Sequence, residues 1–268
     1  MAELLEKLSI LEKDQTNSLG INSERTLKTC KLVREAILLL SRCYDIFPRQ
    51  ISFSFNGGKD STVVLHLIRM ALAEQTNFNN KKDNESNSTS SVKLQSNSDK
   101  INSFYFKNDE CFEEELEFID NTIKSYSLNL QFFNCPFKEG LVKLTNDDSI
   151  KVIVMGTRRS DPHGEHLERL SPSSPGWPNF LRLNPCLDWK YNDIWDFLRL
   201  FNVPYCTLYD QGYTSVGGKS NTVRNEELKI DENSYKPAYM LVNEKQNEMV
   251  QGSSFLILIL IYIDMYDG

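Results

Sequence analysis

The octet Ser54 to Ser61, SFNGGKDS, carries the strongest chemical signal in the chain. Two adjacent glycines, Gly57 and Gly58, let backbone N–H groups approach an anion with no Cβ in the way. A helix starting just after them adds about half a positive charge at its N-terminus, and Lys59 adds a whole one, so a polyphosphate suits the turn better than a carboxylate. The spelling is not Walker A, which needs a glycine where Phe53 stands; GYTSVGGKS at 212 to 220 fails the same test at Tyr213. The sequence holds no GxGxxG, so hydride transfer to a dinucleotide has no support. A glycine turn between strand and helix is also a common structural device, and it is Lys59, Asp60 and Ser61 together that favour the anion.

Other candidates follow the same logic. Asp109 and Asp161 each come just after an expected strand, where two carboxylates can face a phosphate held by Asn56 to Ser61 and share a hard cation such as magnesium. An aspartate after a strand can equally cap a turn. Arg158 and Arg159 are adjacent, and at least one can reach an α phosphate and offset charge developing there, the other facing solvent. His163 and His166 are three apart, but no third nitrogen or sulfur ligand accompanies them, so zinc is not supported. Trp177, Pro178 and Phe180, followed by Arg182, read either as a buried loop or as a surface for a planar anionic ligand.

The elements that must position these residues alternate. A helical apolar stripe predicts a helix over 25–44, ISFSF at 51–55 a strand, and 61–73 a second helix, giving strand, glycine turn, helix around the octet. SFYF at 103–106, a helix over 112–126, LNLQFF at 128–133 and KVIVMG at 151–156 continue the alternation, which predicts an α/β fold with a parallel twisted sheet and helices on both faces. Such sheets place ligands at the carboxyl ends of their strands, where Asn56, residues 107–109 and residues 157–161 then converge. Apolar and aromatic residues on one face of 191–201 put Trp195 in the core. Residues 74–100, rich in Asn, Ser and Lys, read as a disordered and removable insertion.

Composition limits the partners. With 40% hydrophobic and 25% charged residues the chain is ordinary globular protein, and a net charge of −7 denies it the basic field that grips a long nucleic-acid backbone. Six scattered cysteines without a CxxC pair and an acidic N-terminus predict a reducing compartment, the cytoplasm. Phe255 to Ile263 is nine residues long, too short for a membrane span as a helix.

The octet resembles the pyrophosphate-binding loop of ATP pyrophosphatases, with Asn56 where many members have Ser, and the form Phe-Asn-Gly-Gly-Lys-Asp is similar to eukaryotic FAD synthases, relatives of phosphoadenylyl-sulfate reductases. Blocks at 156–167, 176–199, 204–225 and 235–241 continue the likeness in order, from about Arg25 to Leu241. The resemblance implies an adenine nucleotide α-hydrolase-like fold and an FMN adenylyltransferase that makes FAD and pyrophosphate from FMN and ATP with magnesium. It implies Lys59, Asp60, Arg158 and Asp161 as catalytic residues, with Asp60 and Asp161 on the metal. ATP would lie against Ser54, Phe55, Asn56, Gly57, Gly58, Lys59, Asp60, Ser61, Phe106 and Gly156, and the flavin against Asp109, Arg158, Asp161, Trp177 and Arg182. A monomer or weak oligomer working on small molecules, without nucleic acid or membrane, is expected, with residues 1–24 an N-terminal extension, 25–242 the catalytic domain and 243–268 an atypical hydrophobic tail.

Two departures stand against the family pattern. The flavin motif has Asp three residues before the Trp, where this chain has Ser174, and the usual C-terminal pair of arginines is missing, since no arginine follows Arg224. They leave open a catalytically impaired flavin- or nucleotide-binding isoform. A reductase of phosphoadenylyl sulfate needs a C-terminal catalytic cysteine, and none follows Cys206; a tRNA-modifying ATP pyrophosphatase would bring CxxC pairs and a basic surface and stays a remote alternative.

Overall fold

Six strands form one sheet: β1 (Ile51–Ser54), β2 (Asn102–Phe106), β3 (Asn129–Phe133), β4 (Val152–Val154), β5 (Leu170–Pro172) and β6 (Leu181–Leu183), in the order β3-β2-β1-β4-β6-β5. Every pairing is parallel except that of β5 with β6. The computed structural model describes residues 2–13, 22–85, 101–107, 110–146, 148–162 and 164–242. The central strands β1 and β4 are buried along their whole length, as parallel strands covered on both faces must be.

Among the described residues six α-helices pack around the sheet: α1 (Ala2–Lys13), α2 (Asn22–Ile46), α3 (Lys59–Glu85), α4 (Glu113–Tyr126), α5 (Phe137–Asn146) and α6 (Tyr191–Leu200), with α1 lying on α2 and α3. The stripe Cys30, Val33, Ile37 and Leu40 of α2 packs in one cluster with Val63, Val64 and Leu67 of α3 and Ile194, Phe197 and Leu198 of α6. On the opposite face Leu141 and Leu144 of α5 join Phe104, Phe106, Phe133, Ile153 and Phe180. Alternation along β2 divides the two, Tyr105 entering the first cluster and Phe104 and Phe106 the second. Each of these side chains contributes about 1.5–3 kcal/mol by leaving water. Polar contacts fix the docking angle of α6: Asp193 accepts from the Lys190 N–H at 2.9 Å, closing the first turn, and pairs with Lys28 of α2 at 2.5 Å.

The alternation is as expected, with three corrections. Helix α3 runs to Glu85, so the first part of the expected insertion is helical and partly docked: Gln75 donates to the Ser41 carbonyl at 2.9 Å and to Asp45 at 2.8 Å, and Glu74 pairs with Arg34. Its Asn and Lys residues carry no apolar stripe of their own, and α3 continues because its preceding turns are already anchored on α2; residues 86–100 lie outside the described residues. Helix α1 falls inside the expected extension, yet Leu8 is fully buried and Glu12 receives a two-point grip from Arg34 at 2.8 and 2.9 Å. The third is the edge pair β5–β6, three residues each and too short to leave a periodic signal. Trp195 is in the core as expected, ringed by Tyr191, Tyr205, Tyr209 and Tyr239. The tail 243–268 lies outside the described residues, and among those described no helix is long and apolar enough to cross a membrane.

Candidate active site

Strand order reverses around β1, with β2 and β3 on one side and β4 and β6 on the other, and the crevice beyond the carboxyl ends of such strands is where an open α/β sheet takes its ligands. The octet leaves β1 there. Gly57 has a φ of +73°, and a Cβ on it would meet Ile119 Cγ1 at 2.8 Å, so both backbone and packing require glycine. Asn56 Oδ1 accepts from the Gly58 N–H at 3.1 Å and from the Ser61 hydroxyl at 2.7 Å. One acceptor oxygen thus gathers two donors of the loop, the arrangement a phosphate oxygen requires. The next amide, Lys59 N–H, donates to the Tyr209 hydroxyl at 2.9 Å.

Lys59 does not reach outward as its position in the loop suggests. It is 2% exposed, its Nζ lies over the rings of Tyr191 and Tyr209 at 5.3 and 5.8 Å, and it donates to Asp60 Oδ2 at 2.9 Å. Burial lowers its affinity for a proton, and Asp60 works against that. The ammonium is therefore spent within the protein, on Asp60.

Arg158 comes from the loop after β4, which Gly156 brings close: a Cβ there would stand 3.0 Å from Ser61 N and 3.1 Å from the Asp60 carbonyl carbon. Of the adjacent arginines, Arg158 is 3% exposed and turned toward the octet, and Arg159 has a side chain 44% exposed that pairs with Asp188 at 2.7 Å. Arg158 Nε lies 2.9 Å from Asp60 Oδ1, its Nη2 2.9 Å from Asp161 Oδ1, and its own N–H donates to Asp161 Oδ2 at 2.7 Å. Lys59, Asp60, Arg158 and Asp161 thus form a chain of alternating charge. Burial alone would raise the Asp60 carboxyl, but Lys59 and Arg158 hold it below its ordinary value. Asp161 is pushed up by burial, and the charge of Asp60 adds to this against the opposing pull of Arg158 and Lys59.

The donor set can be tested against magnesium. Asp60 Oδ1 is buried and accepts no hydrogen bond although Arg158 Nε is near, and Thr157 Oγ1 in the facing loop is also buried without a hydrogen bond. A buried hydroxyl without a hydrogen bond and two carboxylates, beside a loop suited to phosphate, fit an ion that is held mainly by nucleotide phosphates and one or two carboxylates. The described residues hold no cluster of three or more acidic, His or Cys side chains that would bind a metal alone.

The remaining expected residues divide. Phe55 and Phe106 have buried side chains, the Phe55 N–H donates to the Phe104 carbonyl at 3.1 Å, and Ser54 ends β1 with a buried side chain. Asp109 and His163 lie outside the described residues; His166 is exposed. Trp177 packs partly buried on Phe180, and Arg182 follows on β6, on the strand hydrogen-bonded to β4. Sequence reasoning missed Tyr209, which reaches the loop from 150 residues away and leaves no local signal, and Glu115, buried under Gly57. Burial pushes the Glu115 carboxyl up to about 7 although Tyr105 donates to it at 3.3 Å, and its Oε2 has no hydrogen bond.

Residues 50–224 match the model of the phosphoadenosine phosphosulfate reductase domain family. A probable FAD synthase of Schizosaccharomyces pombe is 36% identical over 72% of this chain and 68% of its own length, and the flavin adenine dinucleotide synthase of Saccharomyces cerevisiae 33% identical over 84% and 74%. A probable FAD synthase of Caenorhabditis elegans is 35% identical over 84% of this chain, but the match covers 41% of that protein, and 35% for the Caenorhabditis briggsae relative, so this chain spans less than half the length of the nematode proteins. The crystal structure of Candida glabrata FMN adenylyltransferase in complex with FAD and inorganic pyrophosphate superposes with a TM-score of 0.75 at 24% identity, covering 93% of this chain and 98% of that one. Yeast FAD synthetase in complex with FAD gives 0.74 at 24% identity, over 91% and 96%. The fold is shared with both, and the chain belongs to the phosphoadenosine phosphosulfate reductase domain family and, within it, to the FAD synthases.

Proposed function

We propose that this protein is an FMN adenylyltransferase, joining FMN to the adenylyl group of ATP and releasing pyrophosphate. The observation that carries the reading is the convergence, at the carboxyl ends of β1 and β4, of the Asn56–Ser61 loop with the Asp60–Arg158–Asp161 array, one strand away from Trp177 and Arg182. Relatives named as FAD synthases at 33–37% identity support it.

In this reading the β and γ phosphates of ATP lie on the Asn56–Ser61 loop, the Asn56 amide yielding its donors to phosphate oxygens. FMN lies against Trp177. An oxygen of its phosphate attacks the α phosphorus in line; the new P–O bond replaces the bond to the bridging oxygen, whose electron pair leaves with pyrophosphate. No covalent enzyme intermediate is needed, so the protein's work is to place two anions side by side and to stabilise charge. Asp60 and Asp161 would hold magnesium, which supplies charge neutralisation when bound. Lys59 keeps Asp60 ionised, and Arg158, held from two sides by carboxylates, presents a fixed guanidinium to the α phosphate. FMN and ATP with magnesium should give FAD in a chromatographic assay of the purified protein, and Arg158→Lys should cut the rate about 10²–10³-fold. Flavin binding without FAD would identify an impaired isoform; neither binding nor product would overturn the reading.

A further inference from the structure

The flavin side of the site contains a cation that nothing in the described protein neutralises. Arg182 sits in the middle of β6, 5% exposed, and among the described residues its hydrogen-bond partner is the Ser174 hydroxyl, at 2.7 Å from Nη2. Among the described residues no carboxylate pairs with it, and burial lowers its affinity for a proton. A buried guanidinium is ordinarily paired, because its desolvation is costly.

A second observation comes from the strand opposite. Ser171 of β5 is the register partner of Arg182 across the antiparallel pair, so both side chains stand on the same face, and Ser171 Oγ is buried without a hydrogen-bond partner. Ile153 of β4, the partner on the other side, belongs to the cluster that also holds Phe180 and Trp177, which puts the indole on this face too. The 173–180 turn is closed by its own bonds: Ser173 N–H to the Phe180 carbonyl at 2.8 Å and Ser173 Oγ to the Pro178 carbonyl at 2.8 Å. The face shared with the indole therefore carries a full positive charge and two hydroxyls, with no carboxylate paired to that charge among the described residues.

We infer that this wall receives the oxygen-bearing pyrimidine edge of the flavin and makes the protein bind reduced FMN more tightly than oxidised FMN. The inference rests on the proposed function, which places FMN against Trp177. Of the edges of the isoalloxazine ring, the dimethylbenzene edge has no acceptor, whereas the pyrimidine edge carries two carbonyl oxygens and N1. Two-electron reduction leaves that edge with a negative charge at neutral pH, delocalised over N1 and the neighbouring oxygen. A fixed cation lowers the energy of the charged form more than that of the neutral one. A carboxylate at position 174 would cancel most of this difference, and Ser174 does not.

The test uses the full chain and FMN without ATP. Binding of oxidised FMN is followed by quenching of flavin or tryptophan fluorescence, and the potential of bound FMN is measured anaerobically against a reference dye, beside free FMN. Reduced FMN is expected to bind about tenfold tighter than oxidised, which for a two-electron couple raises the bound potential by about 30 mV. Ser174→Asp should remove most of the rise and Ser174→Ala should keep it, with thermal unfolding confirming that both variants fold. Bound FMN whose potential equals or falls below that of free FMN overturns the inference alone, as does a Ser174→Asp protein with an unchanged shift. Failure of the unaltered chain to bind FMN in either oxidation state overturns the proposed function and the inference with it.

Discussion

The two basic regions of the molecule lie at neighbouring strands and answer their charge in different ways. Around β1 and β4, Lys59 and Arg158 are buried but interleaved with Asp60 and Asp161, and the four formal charges cancel. On β6, Arg182 is equally buried and among the described residues has the Ser174 hydroxyl as its hydrogen-bond partner. The first region is built to hold its geometry whether or not a nucleotide is present; the second keeps a net charge for a ligand to complete. Internal neutralisation and a cation without a carboxylate partner among the described residues are thus separated in space, and the proposed function gives phosphate positioning to the first and flavin recognition to the second.

Breaking the neutral array should have the largest effect. Asp60→Ala leaves Lys59 and Arg158 buried without their shared partner, and removing one member of a buried pair costs about 3–5 kcal/mol. Urea denaturation should show that loss, with FAD formation abolished. Glu115 tests the loop from beneath. Its carboxyl is raised from 4.5 to about 7, so the folded state holds a proton that the unfolded state has lost, and stability falls as pH rises through that window, by at most about 3 kcal/mol. Glu115→Gln should flatten stability between pH 4.5 and 7 and make the protein more stable than the parent at pH 8. A parent curve without that fall would show that Glu115 is ionised in the folded protein.

Tyr209→Phe should come next. The variant keeps the ring over Lys59 and removes the acceptor of the Lys59 N–H, a buried bond whose loss costs about 1–3 kcal/mol. Because that amide borders Gly58, KM for ATP should rise while the Kd for FMN stays constant. A parallel rise in both would show that Tyr209 supports the whole domain and does not set the phosphate loop alone.

What was legible in the sequence follows from how local each cause is. The strand, glycine turn and helix around the octet were readable because Gly57 and Gly58 and the flanking apolar runs are contiguous, and their chemistry depends on order along the chain. The sheet and the helices on both its faces could be inferred from alternation; the burial of Ser52 and Ser54 along with Ile51 and Phe53 in β1 could not, since ISFS alone reads as a strand with one polar face. The direction of Lys59 was not legible, since the tyrosine rings that draw it inward come from positions 191 and 209. Nor was the partner set of Arg182, because its register against Ser171 depends on an edge pair three residues long. Helix α1 is a different case: Leu4, Leu5, Leu8 and Leu11 lie at helical spacing and pack on the core, so its signal is local and sequence reasoning missed it.

The contrast between Arg158 and Arg159 offers the smallest effect and a sharp control on the comparison. The two differ by one position in sequence and lie on opposite sides of the same loop. Arg159 donates to Asp188 at 2.9 and 2.7 Å and to the carbonyls of Glu165 and Leu167 at 2.9 and 3.0 Å, with much of its side chain in solvent. An exposed pair of this kind contributes about 0.2–1 kcal/mol, and salt screens it further. Arg159→Ala should therefore lower stability by no more than about 1 kcal/mol, the loss shrinking at high ionic strength, and should leave the rate of FAD formation close to that of the parent. A rate loss approaching that of Arg158→Lys would mean that the 158–164 loop is held in its working shape by the solvent-facing network, so that the buried array alone does not position the guanidinium.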